Sequence, residues 1–153
     1  MPFPTASGFF VVSMVDMFDA TQLALDFDLD THRAALFTDA LGATDLVTNT
    51  AYGVAPWNAN EVPNATGYTT GGNLLTGTTY VAGAAGATTF DAADTSWAAS
   101  TFSAVRGTLI YADVLAGNNG ILAVTFGADF AVTAGTFTIQ WNASGIFTID
   151  WIP

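Results

Sequence analysis

Apolar and polar residues alternate with period two in two segments near the carboxyl end of the chain. In 136–141 and in 147–151 every second position is aromatic or isoleucine, and the positions between them hold Thr, Gln or Asp. Residues 142–145, Asn-Ala-Ser-Gly, lie between the two segments and are typical of a turn. Two alternating runs joined by such a turn predict a β-hairpin with one apolar face.

The residues before this predicted hairpin contain further short strand-like runs, broken by Gly or Asn. The runs are rich in Thr, Val, Ile and aromatic residues, which fit the pleated backbone of a sheet. They cover residues 73–81, 88–90, 101–114, 121–126 and 130–133. Several short strands at this spacing predict a mainly β fold, either a single antiparallel β-sandwich or a small barrel.

The beginning of the chain predicts an extended N-terminal segment followed by a short N-terminal helix. Apolar residues between 14 and 25 recur at an approximately helical spacing. Ser13 followed by Asp16 resembles a capping box, which marks the start of a helix. We therefore predict an extended arm over 1–12 and a helix near 13–24.

An acidic segment and then an apolar segment follow the predicted helix. Residues 26–30 alternate Asp with Phe or Leu, and residues 33–37 read Arg-Ala-Ala-Leu-Phe. The alternation is typical of extended backbone. We predict one strand over 33–37 that the chain enters through an acidic bend.

Residues 42–72 are dense in Gly, Asn and Pro and predict a long loop. Loops of this length in compact domains tend to be functional or to pack on something. Tyr52, Trp57 and Tyr68 give this one large apolar anchors. No second domain is indicated, so the predicted organisation is an arm over 1–12 and a single β-rich domain over 13–153.

Composition changes the expected function more than the expected fold. Of 153 residues only 10% are charged, against about 25% in ordinary soluble domains. The chain has no lysine, two arginines and thirteen carboxylates, which give a formal charge of −11. Such a field repels phosphate backbones and anionic lipid surfaces, so we expect no nucleic-acid and no membrane partner.

The absence of cysteine excludes disulfides and thiolate metal sites. The opening Met-Pro-Phe-Pro carries no basic residue before the apolar segment 8–12, which is unlike a secretory signal. No apolar run reaches the length of about 18 residues that a membrane-spanning helix needs. We therefore expect a protein that is used without export.

His32 is the single histidine and lies next to Asp26, Asp28 and Asp30, which suggests a general base or a metal site. A single histidine beside a predicted strand favours a structural role instead. The alternating carboxylates suggest calcium, but the Gly and Glu that the helix-loop-helix calcium motif requires are missing, and an acidic patch is the preferred interpretation. The glycine-rich segment 67–72 has no lysine after it to bind phosphate. We predict no catalytic residue, no cofactor and no metal, and no enzyme activity.

Arg106 is one of the two cations and falls inside a predicted strand. A guanidinium offers five donors in a planar fork and organises carboxylates well. We predict that Arg106 pairs with an acidic loop residue, Asp91 or Asp94.

The order of several motifs resembles a family of small tailed-bacteriophage virion proteins, encoded among head and tail genes and mostly without assigned roles. The motifs are Arg-Ala-Ala-Leu-Phe at 33–37, Gly-Tyr-Thr-Thr-Gly-Gly-Asn-Leu-Leu at 67–75, Asp-Ala-Ala-Asp-Thr-Ser-Trp at 91–97 with Ser-Thr-Phe at 100–102, Arg-Gly-Thr-Leu-Ile-Tyr at 106–111, and Gly-Thr-Phe-Thr-Ile-Gln-Trp-Asn-Ala-Ser-Gly-Ile-Phe at 135–147. The resemblance implies a β-rich structural component with no catalytic residues. This chain departs from the pattern in its longer apolar start and its lack of lysine.

The first expectation for function is a virion structural protein, either a capsid decoration protein or a minor head protein that stabilises the particle. Its partners would be other virion proteins, chiefly the major capsid protein, and further copies of itself, in a particle assembled in the host cytoplasm. A tail, neck or baseplate component is the alternative, and a carbohydrate-binding module or adhesin is a further one. The residues predicted to make these contacts are Phe9, Phe10, Trp57, Tyr68, Trp97 and Arg106.

Overall fold

A computed structural model describes residues 7–18, 24–39, 41, 45–83 and 86–151. The fold is mainly β, with eight strands and three short helices in the described part of the chain. The strands are β1 (Gly8–Phe9), β2 (His32–Phe37), β3 (Asn73–Leu74), β4 (Thr79–Ala82), β5 (Ala87–Asp91), β6 (Thr95–Ala112), β7 (Gly120–Ile139) and β8 (Phe147–Asp150). The helices are α1 (Val11–Phe18), α2 (Asp45–Thr48) and α3 (Trp57–Asn60).

The strands form two antiparallel sheets, so the predicted sandwich-like β fold is confirmed. The larger sheet has five strands in the order β1-β7-β6-β2-β3, and the smaller has three in the order β4-β5-β8. The long hairpin formed by β6 and β7 is the centre of the larger sheet. β2 pairs with the carboxyl half of β6 from His32↔Ala112 to Phe37↔Gly107, and β1 pairs with β7.

Both faces of the five-stranded sheet are covered where β2, β6 and β7 meet. Alternate side chains contribute to two separate apolar clusters: Ala34, Leu36, Ile110, Ala112 and Leu122 to one, and Ala35, Phe37, Leu109, Tyr111 and Ala123 to the other. The first cluster also contains Phe90 from the smaller sheet, and the second contains Leu46 and Trp57 from the helical segment. A strand buried on both faces needs apolar residues at consecutive positions, which explains the continuous run at 34–37.

The amino-terminal half of β6 and the carboxyl half of β7 form a heavily bulged ribbon. The register shifts between Trp97 and Val105 because extra residues are inserted first in one strand and then in the other. Ala99, Ala104 and Ala134 adopt positive φ angles of 50°, 55° and 49°. A bulge adds an unpaired residue and increases the local twist. The same irregularity divides the sequence pattern of β7 into three predicted runs, 121–126, 130–133 and 136–141, although β7 is one strand.

The predicted carboxyl-terminal hairpin is wrong in its pairing. The turn itself is present, since Gly145 N donates to Asn142 O at 2.8 Å. However, β8 pairs with β5, ending at Phe90↔Phe147, whereas β7 pairs with β6. A Cβ on Gly145 would lie 2.3 Å from Thr89 Cγ2, so the turn is seated directly on β5. The turn therefore carries the chain from one sheet into the other.

The predictions for the first 24 residues need correction. Helix α1 begins at Val11, and Ser13 lies inside it, where its Oγ donates to Gly120 O at 2.6 Å, so the capping box is wrong. Phe10 is fully buried, so the segment before the helix belongs to the folded domain. The remainder of the predicted arm, 1–6, and most of the predicted end of the helix, 19–23, lie outside the described residues.

The predicted loop 42–72 contains α2, α3 and a short pairing of Phe37 with Glu61 at the end of β2. Residues 42–44 of it lie outside the described residues. Trp57 and Tyr68 are buried against the sheet and anchor this segment to it. The acidic bend is also confirmed: residues 27–30 form a turn, and Asp26 Oδ1 accepts hydrogen bonds from the backbone at its start.

Candidate functional site

Most of the residues predicted to make intermolecular contacts lie in the core. Trp57, Phe10, Trp97 and Tyr68 have exposed fractions of 0%, 0%, 1% and 2%. The Trp57 ring lies between Phe10 and Phe37, with centroids 5.1 and 5.2 Å away. These four side chains have no surface to offer a partner, and their assignment as interaction residues is corrected to a packing role.

Phe9 is half-buried and belongs to the seam between the two sheets. It pairs with Leu122 in β7, and its ring meets Phe147 of β8 edge-on at a centroid distance of 4.8 Å. Its contact across the two sheets makes it part of the fold as well.

Arg106 forms ion pairs, but not with the predicted Asp91 or Asp94. Its Nη1 lies 3.4 Å from Asp129 Oδ1 and its Nε lies 3.7 Å from Asp39 Oδ1. The other arginine, Arg33, donates from Nε to Asp113 Oδ2 at 2.8 Å and from Nη1 to Gly72 O at 3.0 Å. Each arginine is thus already engaged by aspartate.

The chain's only glutamate, Glu61, is buried and is held by neutral donors. Tyr52 Oη donates to Glu61 Oε2, and Tyr68 Oη donates to Oε1 at 2.6 Å. Gly71 N donates to the same Oε1 at 2.7 Å. Burial, reinforced by the Glu61 carboxylate, raises the pKa of Tyr52 and of Tyr68, which keeps both phenols protonated as donors.

This cluster fastens the 61–71 segment to the sheet. The Tyr68 hydroxyl also accepts a hydrogen bond from Leu36 N in β2 at 2.9 Å, and the Tyr52 ring stacks on Tyr111 of β6 at 4.3 Å. Sequence reasoning missed Glu61, because no fixed spacing links it to its tyrosine partners. The hydrogen-bonding capacity of the carboxylate is used inside the fold, which indicates a structural role.

His32 is buried, and its environment opposes charge. Its Nε2 lies 3.2 Å from the carbonyl oxygens of Asp26 and Phe27, and its ring meets Phe90 edge-on at 5.8 Å. Burial lowers its pKa in spite of the nearby Asp26 and Asp30. Within the described residues, no group of three or more histidine and acidic side chains could hold a metal ion. The structural interpretation of His32 therefore fits the geometry.

An apolar groove of about 300 Å³ lies on the carboxyl half of β7, and the sequence did not single it out. It is lined by Phe126, Phe130, Phe137, Thr138, Ile139 and Gln140. The Phe126 ring contacts those of Phe130 and Phe137 at 6.0 and 6.1 Å, and Phe137 packs in turn on Trp97 and Phe102. Phe130 is 46% exposed, so the outer end of this aromatic row faces solvent.

The backbone beside the groove is a sheet edge that, within the described residues, has no further strand paired to it. β1 pairs with β7 only at Ala123 and Leu122, and Ser7 Oγ accepts a hydrogen bond from Thr125 N. From 126 to 139 the only strand that pairs with β7, among those the structure describes, is β6. An unpaired strand edge presents N–H and C=O groups to any further strand.

The chain matches no known protein-family model, no curated protein and no solved structure. None of the described helices is long and apolar enough to cross a membrane. The groove combines a half-exposed aromatic ring, Phe130, with a strand edge that has only β6 as its partner among the described strands from 126 to 139.

The buried His32 predicts a pH dependence of stability that a variant can isolate. In the unfolded chain its pKa is about 6.5, and burial lowers the pKa in the folded chain. Below about pH 6.5 the unfolded state therefore binds more protons than the folded state. As the pH is lowered, the free energy of unfolding decreases by up to about 1.4 kcal/mol per pH unit. Asp26, whose pKa is also lowered, contributes only below about pH 4.

Urea unfolding between pH 5 and 7 measures this dependence. The free energy of unfolding of the wild type is expected to fall on acidification, and the His32→Gln variant is expected to lack that part of the slope. Equal slopes in the two proteins would show that burial leaves the pKa of His32 unchanged.

Proposed function

We propose that this chain is a structural protein of a tailed-bacteriophage particle, most simply a capsid decoration protein or a minor head protein. The observation that carries the proposal is the aromatic groove beside the free edge of β7. A half-exposed Phe130 in a groove bordered by unpaired backbone is suited to docking on another protein. The motif order over 33–147 supports a virion protein as the class.

The electrostatics favour docking on a basic protein surface. The formal charge is −11, and Arg33 and Arg106 are both engaged by aspartates. Complementary potentials increase the rate of association and select between partners. A shell protein with basic patches on its outer surface fits this field.

A tail, neck or baseplate position is the second placement. The same docking chemistry would serve it, and the two placements differ in stoichiometry. A decoration protein covers a shell built of many repeated units, whereas a ring component follows the symmetry of a single vertex or of the tail.

Quantitative mass spectrometry of density-banded particles from the producing culture tests the proposal. We expect hundreds of copies of this chain per particle. A small multiple of three or six would move it to the tail, neck or baseplate. Absence from particles, with the protein present in the lysate, would overturn the virion assignment.

The carbohydrate-binding alternative loses the feature that suggested it. It required Trp57, Tyr68 and Trp97 to present their rings to sugars, and all three are buried. The arm over 1–12 and the loop over 42–72 are also predicted from the sequence to make inter-subunit contacts, but for the arm a deletion cannot test this. Deleting 1–12 would remove the buried Phe10 and unfold the domain, so a loss of assembly would prove nothing about contacts.

A further inference from the structure

We propose that the free edge of β7 between 126 and 139 accepts an extended segment of a partner protein as an added strand, and that this segment combines basic with apolar residues. The inference deepens the proposed function and rests on it only for the identity of the partner.

The groove lies along the same strand that provides the edge. All of its lining residues belong to β7 or to Gln140, which follows it directly. Strand addition uses two components: backbone hydrogen bonds along an edge, and pockets beside that edge for alternate side chains of the added strand. β7 supplies both from one element.

The bulge in β7 shapes the wall of the groove. Four residues of β7, 126–129, stand opposite the single residue Arg106 of β6, between the pairs Val105↔Phe130 and Gly107↔Thr125, and Gly127 has a φ of 75°. Residues four apart in a regular strand are separated by about 13 Å. The rings of Phe126 and Phe130 are instead 6.0 Å apart and meet edge-on. The extra residues thus bring two aromatic rings together at the outer side of the strand.

Of the usual protections against added strands, this edge has the β-bulges of β7 but neither lysine nor proline. Natural edges are blunted by lysine, by proline or by very short strands. Between 126 and 139 there is neither lysine nor proline, and the one charged residue is Asp129. Asp129 is the partner of Arg106, so even this charge is partly offset.

Charge selects the occupant. A second copy of this chain would bring a further −11 and, in Arg33 and Arg106, two cations already bound to aspartate. Acidic groups flank the groove: Asp129 precedes Phe130 in sequence, and Asp94 accepts a hydrogen bond from Trp141 N beyond Gln140. A segment with lysine or arginine on one face and apolar residues on the other complements this edge.

Three synthetic peptides test the mode and the charge together on the full-length chain. The first is a ten-residue peptide that alternates valine with lysine, the second replaces its lysines with glutamate, and the third is the lysine peptide with alternate backbone nitrogens methylated. We expect the second and third to bind at least about tenfold more weakly than the first. Equal binding of the methylated peptide would overturn strand addition, and equal binding of the glutamate peptide would overturn the basic occupant.

Amide hydrogen exchange locates the binding site. Amides in 126–139 should exchange more slowly when the lysine peptide is bound. Protection already complete in the dilute free protein would mean that the chain's own residues occupy the edge. Protection that grows with protein concentration, together with dimers in sedimentation, would mean that a second copy does. Either result overturns the proposal.

Three variants test whether this site is needed for incorporation into the particle. Two change the groove, Phe130→Glu and Phe130→Ala, and Val81→Glu is the matched control. Phe130 and Val81 are 46% and 55% exposed, and Val81 lies on β4 in the other sheet. We expect both Phe130 variants to lose peptide binding and incorporation into particles, with circular dichroism unchanged, and the control to keep both. Full incorporation of Phe130→Glu would refute the site while the virion function stands. Absence of the wild type from particles, with peptide binding intact, would refute the virion function while the site stands.

Discussion

Replacing Trp57 with alanine is expected to lower the free energy of unfolding by about 3–5 kcal/mol. The indole is fully buried between Phe10 and Phe37, in the cluster that joins α3 to the five-stranded sheet. Its removal deletes a large apolar contact area and leaves a cavity that the rigid strands cannot close. Chemical denaturation followed by circular dichroism measures the loss.

Trp151→Ala is the matched control for this prediction. Trp151 is 51% exposed and donates from Nε1 to Thr88 Oγ1 at 2.9 Å. Its loss is expected to cost about 1–2 kcal/mol, for one hydrogen bond and a half-buried ring. Similar small losses for both variants would contradict the core position of Trp57 and restore it as a candidate for surface contacts.

Gly72→Ala is expected to prevent stable folding, with a loss of about 4 kcal/mol or more. Gly72 has a φ of 68°, and a Cβ there would lie 1.9 Å from Ala34 O and 2.6 Å from Ala35 Cα. Both atoms belong to the backbone of β2, which is paired with β6 on one side and β3 on the other, so neither moves without breaking the sheet. The displacement would also pull Gly72 O away from Arg33.

Gly127→Ala separates the close approach from backbone strain. Gly127 has a similar φ of 75°, but a Cβ there would meet nothing within 4 Å. Alanine at this position is destabilising only through the left-handed backbone conformation, which lowers the free energy of unfolding by about 1–2 kcal/mol. Thermal unfolding of the two variants compares them directly. Comparable melting temperatures would mean that β2 and the 69–72 turn are less closely packed than the structure shows.

The sequence predicted strands well where local pattern and burial agree. The run at 33–37 and the runs within β4 to β7 were predicted correctly as strands. Their β-branched and aromatic residues fit a pleated strand, whichever of the two sheets the strand joins. The pairing of β8 was not found, because alternation identifies an apolar face but not the sheet that covers it. Gly145 and its approach to Thr89, which decide that pairing, become visible only in three dimensions.

The candidate site was largely hidden from sequence reasoning for a related reason. Aromatic residues in a turn-rich segment were expected at the surface, yet Trp57 and Tyr68 fill the core, since a long loop also needs burial. Phe126, Phe130 and Phe137 looked like ordinary strand residues. The exposure of Phe130 follows from the bulge and from the lack of a further strand beside this part of β7 in the described residues, and the local sequence pattern shows neither.

The central hairpin also has a consequence for the order in which the chain acquires its structure. β6 and β7 are joined by the short connection 113–119, whereas the bond from Thr108 to Ala35 closes a separation of 73 residues and the bond from Ser13 to Gly120 one of 107. The entropy lost on loop closure is smaller for this hairpin than for these two distant contacts. We therefore expect the β6–β7 hairpin to form before β2, β1 and α1 join the sheet.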